Sequence, residues 1–80
     1  MSLRGWLVDI QKEAEIAIAR HGSFLSPHEG WACIYEEVDE LWEVIRKVKN
    51  RSDRPTGLTL EAIQVAAMAL KFLVDFGGQE

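Results

Sequence analysis

Apolar residues recur at helical spacing along nearly the whole chain. Leu3, Leu7, Ile10, Ala14 and Ala17 form one stripe of a first helix, flanked by Trp6 and Ile18, with Asp9, Lys12, Glu13 and Arg20 mostly outside it. Gly22 follows at a position where a residue without Cβ can end the helix in the left-handed conformation. Ser26-Pro27-His28-Glu29 then opens a second helix. Ser can accept the amide three residues on, Glu can reach back to the cap amide, and Pro lacks the hydrogen that would go unpaired. The spacing carries this helix to about Asn50, where Arg46, Lys47 and Lys49 suit the negative end of the helix dipole. A polar break, Arg51 to Gly57, contains Pro55 and separates it from a third helix running from Leu58 or Leu60 to Phe76, ahead of Gly77-Gly78. No segment alternates with period two. The pattern predicts an all-α, three-helix antiparallel unit that pairs into a larger helical bundle.

The 80 residues allow one domain, 1–80, and no doubly wound sheet or barrel. So short a chain covers only roughly 60% of its unfolded surface on folding. One cysteine, Cys33, leaves no intrachain disulfide and no cysteine-rich metal site as a staple. The remaining support is a partner subunit, so a homo-oligomer is expected. Nine basic against thirteen acidic residues give a charge of −4, which speaks against sequence-independent nucleic-acid binding. The longest apolar run, Val65 to Leu70, is far short of a membrane span of ~20 residues, and residues 1–10 carry no secretory signal pattern. A cytoplasmic setting is expected.

The polar positions break the pattern in two places. On a helical wheel of the second helix, Ile34, Val38, Leu41, Ile45 and Val48 cluster, with Val44 extending the arc and Trp31, Tyr35 and Trp42 on its flank. Glu36, Asp39, Glu43 and Arg46 lie opposite, but Glu37 projects into the apolar arc between Val44 and Val48, and Glu40 borders it. The third helix is apolar nearly all round, which implies burial on most sides. Its polar exceptions, Glu61, Gln64, Lys71 and Asp75, share one stripe with Leu60 and Met68. A buried file of ionisable groups should face other polar groups. Two ionised carboxylates about 6 Å apart repel by roughly 3 kcal/mol at an effective dielectric near 20. That is large against a domain stability of ~5–15 kcal/mol. Protonation, basic side chains or a divalent cation must cancel it. Oxygen-only ligands suit Mg²⁺, with Mn²⁺ as a substitute.

Glu36-Glu37-Val38-Asp39-Glu40 reads EExxE, and Glu61-Ala62-Ile63-Gln64 stands downstream where ExxD would complete a pair. His28-Glu29-Gly30-Trp31 leads into the first motif and Val65 to Ala69 follow the second. Over roughly residues 20–76 the chain resembles the MazG-like all-α nucleoside triphosphate pyrophosphohydrolases. The resemblance implies Mg²⁺ binding through these side chains and hydrolysis of a (d)NTP to the monophosphate and pyrophosphate, often as nucleotide house-cleaning. It also implies dimers, or tetramers built from them. By position, Glu36, Glu37, Glu40, Glu61 and Gln64 would be the metal ligands, with Glu36 or Glu37 as the proton acceptor for the attacking water. Gln64 replaces the family's Asp, and a neutral amide oxygen should weaken metal binding or remove one site. Lys71, Asp75 and Trp42 are the candidates for contacting substrate. The alternative is a non-catalytic helical homo-oligomer, derived from this fold, that binds a nucleotide or a protein.

The aromatic residues Trp31, Tyr35 and Trp42 suit core or subunit interface as well as base stacking. His21 and His28 sit where helix ends are expected, and Lys47, Lys49, Arg51 and Arg54 have sufficient reason in solvation and the helix dipole. Cys33 lacks a partner that would make it a nucleophile.

Overall fold

The chain, for which the structure is a computed structural model describing residues 1–78, forms three α-helices and, among those residues, no strand. They are α1 (Leu3–His21), α2 (Pro27–Ile45) and α3 (Leu58–Phe76). The expected starts hold. Glu29 donates its amide to Ser26 Oγ at 3.1 Å, while the Glu29 carboxylate accepts from Leu25, one residue before the cap rather than from the cap itself. Gly22 ends α1 at φ +68°, where a side chain would be strained.

The helix α2 stops at Ile45, short of the expected Asn50. Lys47 and Val48 donate to the carbonyls three residues back, and the Asp53 carboxylate then takes the amides of Lys49 and Asn50 at 2.8 and 3.1 Å. A side chain thus offers those amides what another helical turn would have offered. The same two amides hold the Asp53 carboxyl below its ordinary pKa.

The central helix is α3, which packs against both α1 and α2, while those two make no contact with each other. That accounts for the apolarity of the sides it turns to α1 and α2, but not for burial all round, since Leu60, Leu73 and Val74 stay exposed. Gly30 fixes how α2 is turned, because a Cβ there would lie 2.6 Å from the Phe72 ring. With Gly30 as the point of approach, the line Gly30, Ile34, Glu37, Leu41 and Val44 faces α3. The neighbouring line Trp31, Tyr35, Val38, Trp42 and Ile45 is exposed. The expected apolar arc is therefore divided: Val38 and Ile45 look outward, and Glu37 sits in the middle of the packed side. In α1, Leu3 and Leu7 are likewise exposed, and Glu13, expected outside the stripe, is half-buried. No large side chain among the described residues is completely covered; the core proper is Ala14, Phe24 and Ala67.

Candidate functional site

Because α1 and α2 lie apart on α3, a cleft of about 480 Å³ opens between them. Glu13, Arg20 and His21 line it from α1, Cys33, Glu36 and Glu37 from α2, and Gln64, Met68 and Lys71 from α3. Phe24, in the loop joining α1 to α2, also lines it.

Beside this cleft Glu37, Glu40 and Glu61 converge. One carboxylate oxygen from each lies within 4.8 Å of the other two. Glu37 and Glu40 are one turn apart on α2, and Glu61, in the first turn of α3, is brought opposite by the close helix contact. Glu37 and Glu61 are half-buried and each keeps one buried oxygen, Oε2, with no hydrogen-bond partner; Glu40 is exposed. Burial raises the Glu37 pKa, and the charges of Glu40 and Glu61 add to the rise. Burial also raises that of Glu61, helped by a hydrogen bond to Glu40 and by its charge. Three negative groups in a partly desolvated corner are thus under-compensated by the protein.

This cluster fits a divalent cation. The donors are hard carboxylate oxygens, and two of them are orphaned in a way that a cation would satisfy. It is smaller than the set expected from the motif. Gln64 is held elsewhere: its amide nitrogen donates to Glu13 Oε2 at 2.9 Å. Glu36 lines the cleft but is exposed and outside the trio. Among the expected substrate contacts, Lys71 is in the cleft wall, whereas Trp42 is exposed outside it. Asp75 is also outside the wall; its carboxylate accepts the Phe24 amide at 2.8 Å and lies 3.7 Å from Lys71 Nζ. Its place is to hold the loop to α3.

Two cleft residues were not foreseen. Glu13 is the partner of Gln64, and its signal was its place between Ile10 and Ala17, at spacings that share a face. Phe24 lies outside any helix and gave no periodic signal. The Cys33 thiol, half-buried in the cleft, has its pKa pushed up by burial and then by Glu36 and Glu29, against a smaller opposing effect of Lys71. It is therefore no activated nucleophile. None of the described helices is long and apolar enough to cross a membrane. No protein-family model, curated protein or solved structure matches the chain.

Proposed function

We propose that the chain is a divalent-cation-dependent nucleoside triphosphate pyrophosphohydrolase, acting on a (d)NTP and water to give the monophosphate and pyrophosphate. The observation that carries this is the pair of buried, orphaned oxygens of Glu37 and Glu61, converging with Glu40 beside the cleft. Glu37, Glu40 and Glu61 would hold Mg²⁺ or Mn²⁺. When bound, the cation would neutralise phosphate oxygens and stabilise charge on the departing diphosphate. Glu36, next to the trio but outside it, is free to accept a proton from water in the cleft. The EExxE spacing and its downstream partner support the same chemistry.

The test is pyrophosphate release from a panel of dNTPs and NTPs with Mg²⁺ and with Mn²⁺. Turnover that Glu37→Gln abolishes supports the proposal; a panel without turnover at any cation concentration overturns it.

A second function is favoured by one observation, the engagement of Gln64 with Glu13 in place of an acidic fourth ligand. A cleft with three carboxylates could bind nucleotide with its cation and not turn it over. Saturable binding of a nonhydrolysable dNTP by a protein inert across the panel would select this function.

We also propose that the protein works as a homo-oligomer, dimer or tetramer, in the cytoplasm. Support for assembly comes from the exposed aromatic ridge of α2 and from a mainly apolar trough of about 700 Å³ between α1 and α3, whose lining includes Leu7, Ile10, Ile18, Leu70 and Leu73. Free Cys33 suits a reducing compartment.

A further inference from the structure

The cleft wall holds a hydrogen-bonded pair that the acidic trio does not use. Gln64, in α3, donates from Nε2 to Glu13 Oε2, in α1, at 2.9 Å, and both side chains are half-buried in that wall. An ionised carboxylate has no proton to give, so the amide must face it with its nitrogen. One bond thus fixes two side chains and leaves an acceptor on each. Glu13 Oε1 and Gln64 Oε1 take no hydrogen bond from the described residues, and neither is one of the buried oxygens without a partner, so both stay accessible. Two fixed acceptors side by side suit a ligand that brings two donors.

Charge and position along α3 say what brings them. Glu13 lies outside the trio, so no cation there would stand between its carboxylate and a phosphate, and the two repel. The group at this level is therefore neutral and carries O–H or N–H donors. Gln64 is three residues beyond Glu61, roughly 4.5 Å along the helix, and Met68 is about 6 Å further on. Ile16 and Ala17 line the cleft from α1 beyond Glu13. The wall thus runs from carboxylates, through the pair, to an apolar stretch. A nucleotide runs from phosphate, through sugar, to base. With its phosphates at the trio, its sugar comes level with Glu13 and Gln64 and its base with Met68. Ribose presents two neighbouring hydroxyls there, and deoxyribose lacks the 2′ one.

We propose that Glu13 selects the sugar, and that the substrate class is the ribonucleoside triphosphates in preference to their 2′-deoxy counterparts. Glu13 Oε1 accepts from the 2′-hydroxyl and Gln64 Oε1 from the 3′-hydroxyl, each side chain holding the other in place. This selection rests on nucleotide binding in the cleft as proposed above, but not on turnover. It also gives residue 64 a reason to be an amide: a carboxylate there would have no proton to donate to Glu13.

The probes are α,β-methylene analogues of the common NTPs and of their 2′-deoxy counterparts, titrated calorimetrically into the full chain with Mg²⁺. For the base that binds best, the ribo analogue is expected to bind about tenfold or more tighter than the deoxy one, the worth of one hydrogen bond to a charged acceptor. Glu13→Gln keeps a carbonyl for the Gln64 amide and turns the free acceptor into a donor. It should weaken the ribo analogue by about tenfold and bring the two sugars close to equal affinity. A pair that only braces α1 against α3 predicts that Glu13→Gln shifts both sugars alike or neither. Equal affinity for the two sugars in the wild type, a preference for the deoxy analogue, or a ratio that Glu13→Gln leaves unchanged overturns the selection. If Glu13→Gln does not fold, as judged by circular dichroism, the wild-type ratio decides. Ribose preference with this pattern in a protein that releases no pyrophosphate keeps the selection and removes the hydrolase; turnover indifferent to the sugar does the reverse, and a protein that binds no analogue loses both.

Discussion

At the scale of single residues, the chemistry lies in carboxylates that the fold leaves short of compensation. Glu37 and Glu61 have pKa values raised above the ordinary 4.5 by burial and by their acidic neighbours. A carboxyl that is more basic in the folded chain binds its proton more tightly there than in the unfolded chain. Its contribution to stability is therefore full below about pH 4.5 and is lost as pH rises through the raised folded value. In metal-free buffer, thermal unfolding should show Tm falling as pH rises from 4.5 toward neutrality, unlike the usual carboxylate case. Glu61→Gln should flatten that slope and raise Tm at pH 7.5 by several degrees, on the scale of about 4–8 °C per kcal/mol for a domain of this size. Saturating Mg²⁺ should do the same to the wild type and not to the variant. Gln64 carries a second prediction. Gln64→Asp would set a carboxylate against Glu13 and remove the donated hydrogen bond. It should cost the metal-free protein about 1–3 kcal/mol in urea unfolding, and a Glu13→Gln partner substitution should recover it.

Among the elements, the rotation of α2 matters most, and Gly30 controls it. Gly30→Ala would place a Cβ 2.6 Å from the Phe72 ring. The helices must move apart, costing about 1–3 kcal/mol and drawing Glu37 away from Glu61. Denaturant unfolding should report that loss, and Mg²⁺ affinity should fall with it. The three helices, the Ser26 cap and the unusual position of Glu37 were legible in the sequence because each rests on local spacing or local hydrogen bonding. The place where α2 ends was not, since it depends on Asp53 capturing two amides from beyond the helix. Nor was the division of the apolar arc. Two adjacent lines on α2 are about equally apolar, and only the missing Cβ of Gly30 against Phe72 decides which of them faces α3. Glu37, Glu40 and Glu61 followed from the motif and the wheel. The diversion of Gln64 did not, because it needs Glu13 from a helix that the motif does not include.

For the whole molecule, the question is how a chain with no fully buried large side chain among its described residues holds a cleft open between α1 and α2. Trp31, Tyr35, Val38, Trp42 and Ile45 form a continuous exposed stripe, 39–62% accessible, at the spacing of a helix seam. Such a surface supports the proposed assembly. Trp42→Glu should lower the mass measured by light scattering to that of one chain, with a fall in Tm, and leave the helical content of the remaining folded fraction unchanged. A wild type that is monomeric at high concentration would remove the proposed assembly without touching the acidic cluster. The cluster is built within one chain, from α2 and α3 alone.

Calorimetric titration of Mn²⁺ into the metal-free protein at pH 7.5, wild type beside Glu61→Gln, tests that cluster most directly. Saturable binding in the wild type that Glu61→Gln weakens by about tenfold or more is the expected result. A wild type that takes up no cation, or a variant that binds it equally well, would contradict the convergence of Glu37, Glu40 and Glu61 on a metal.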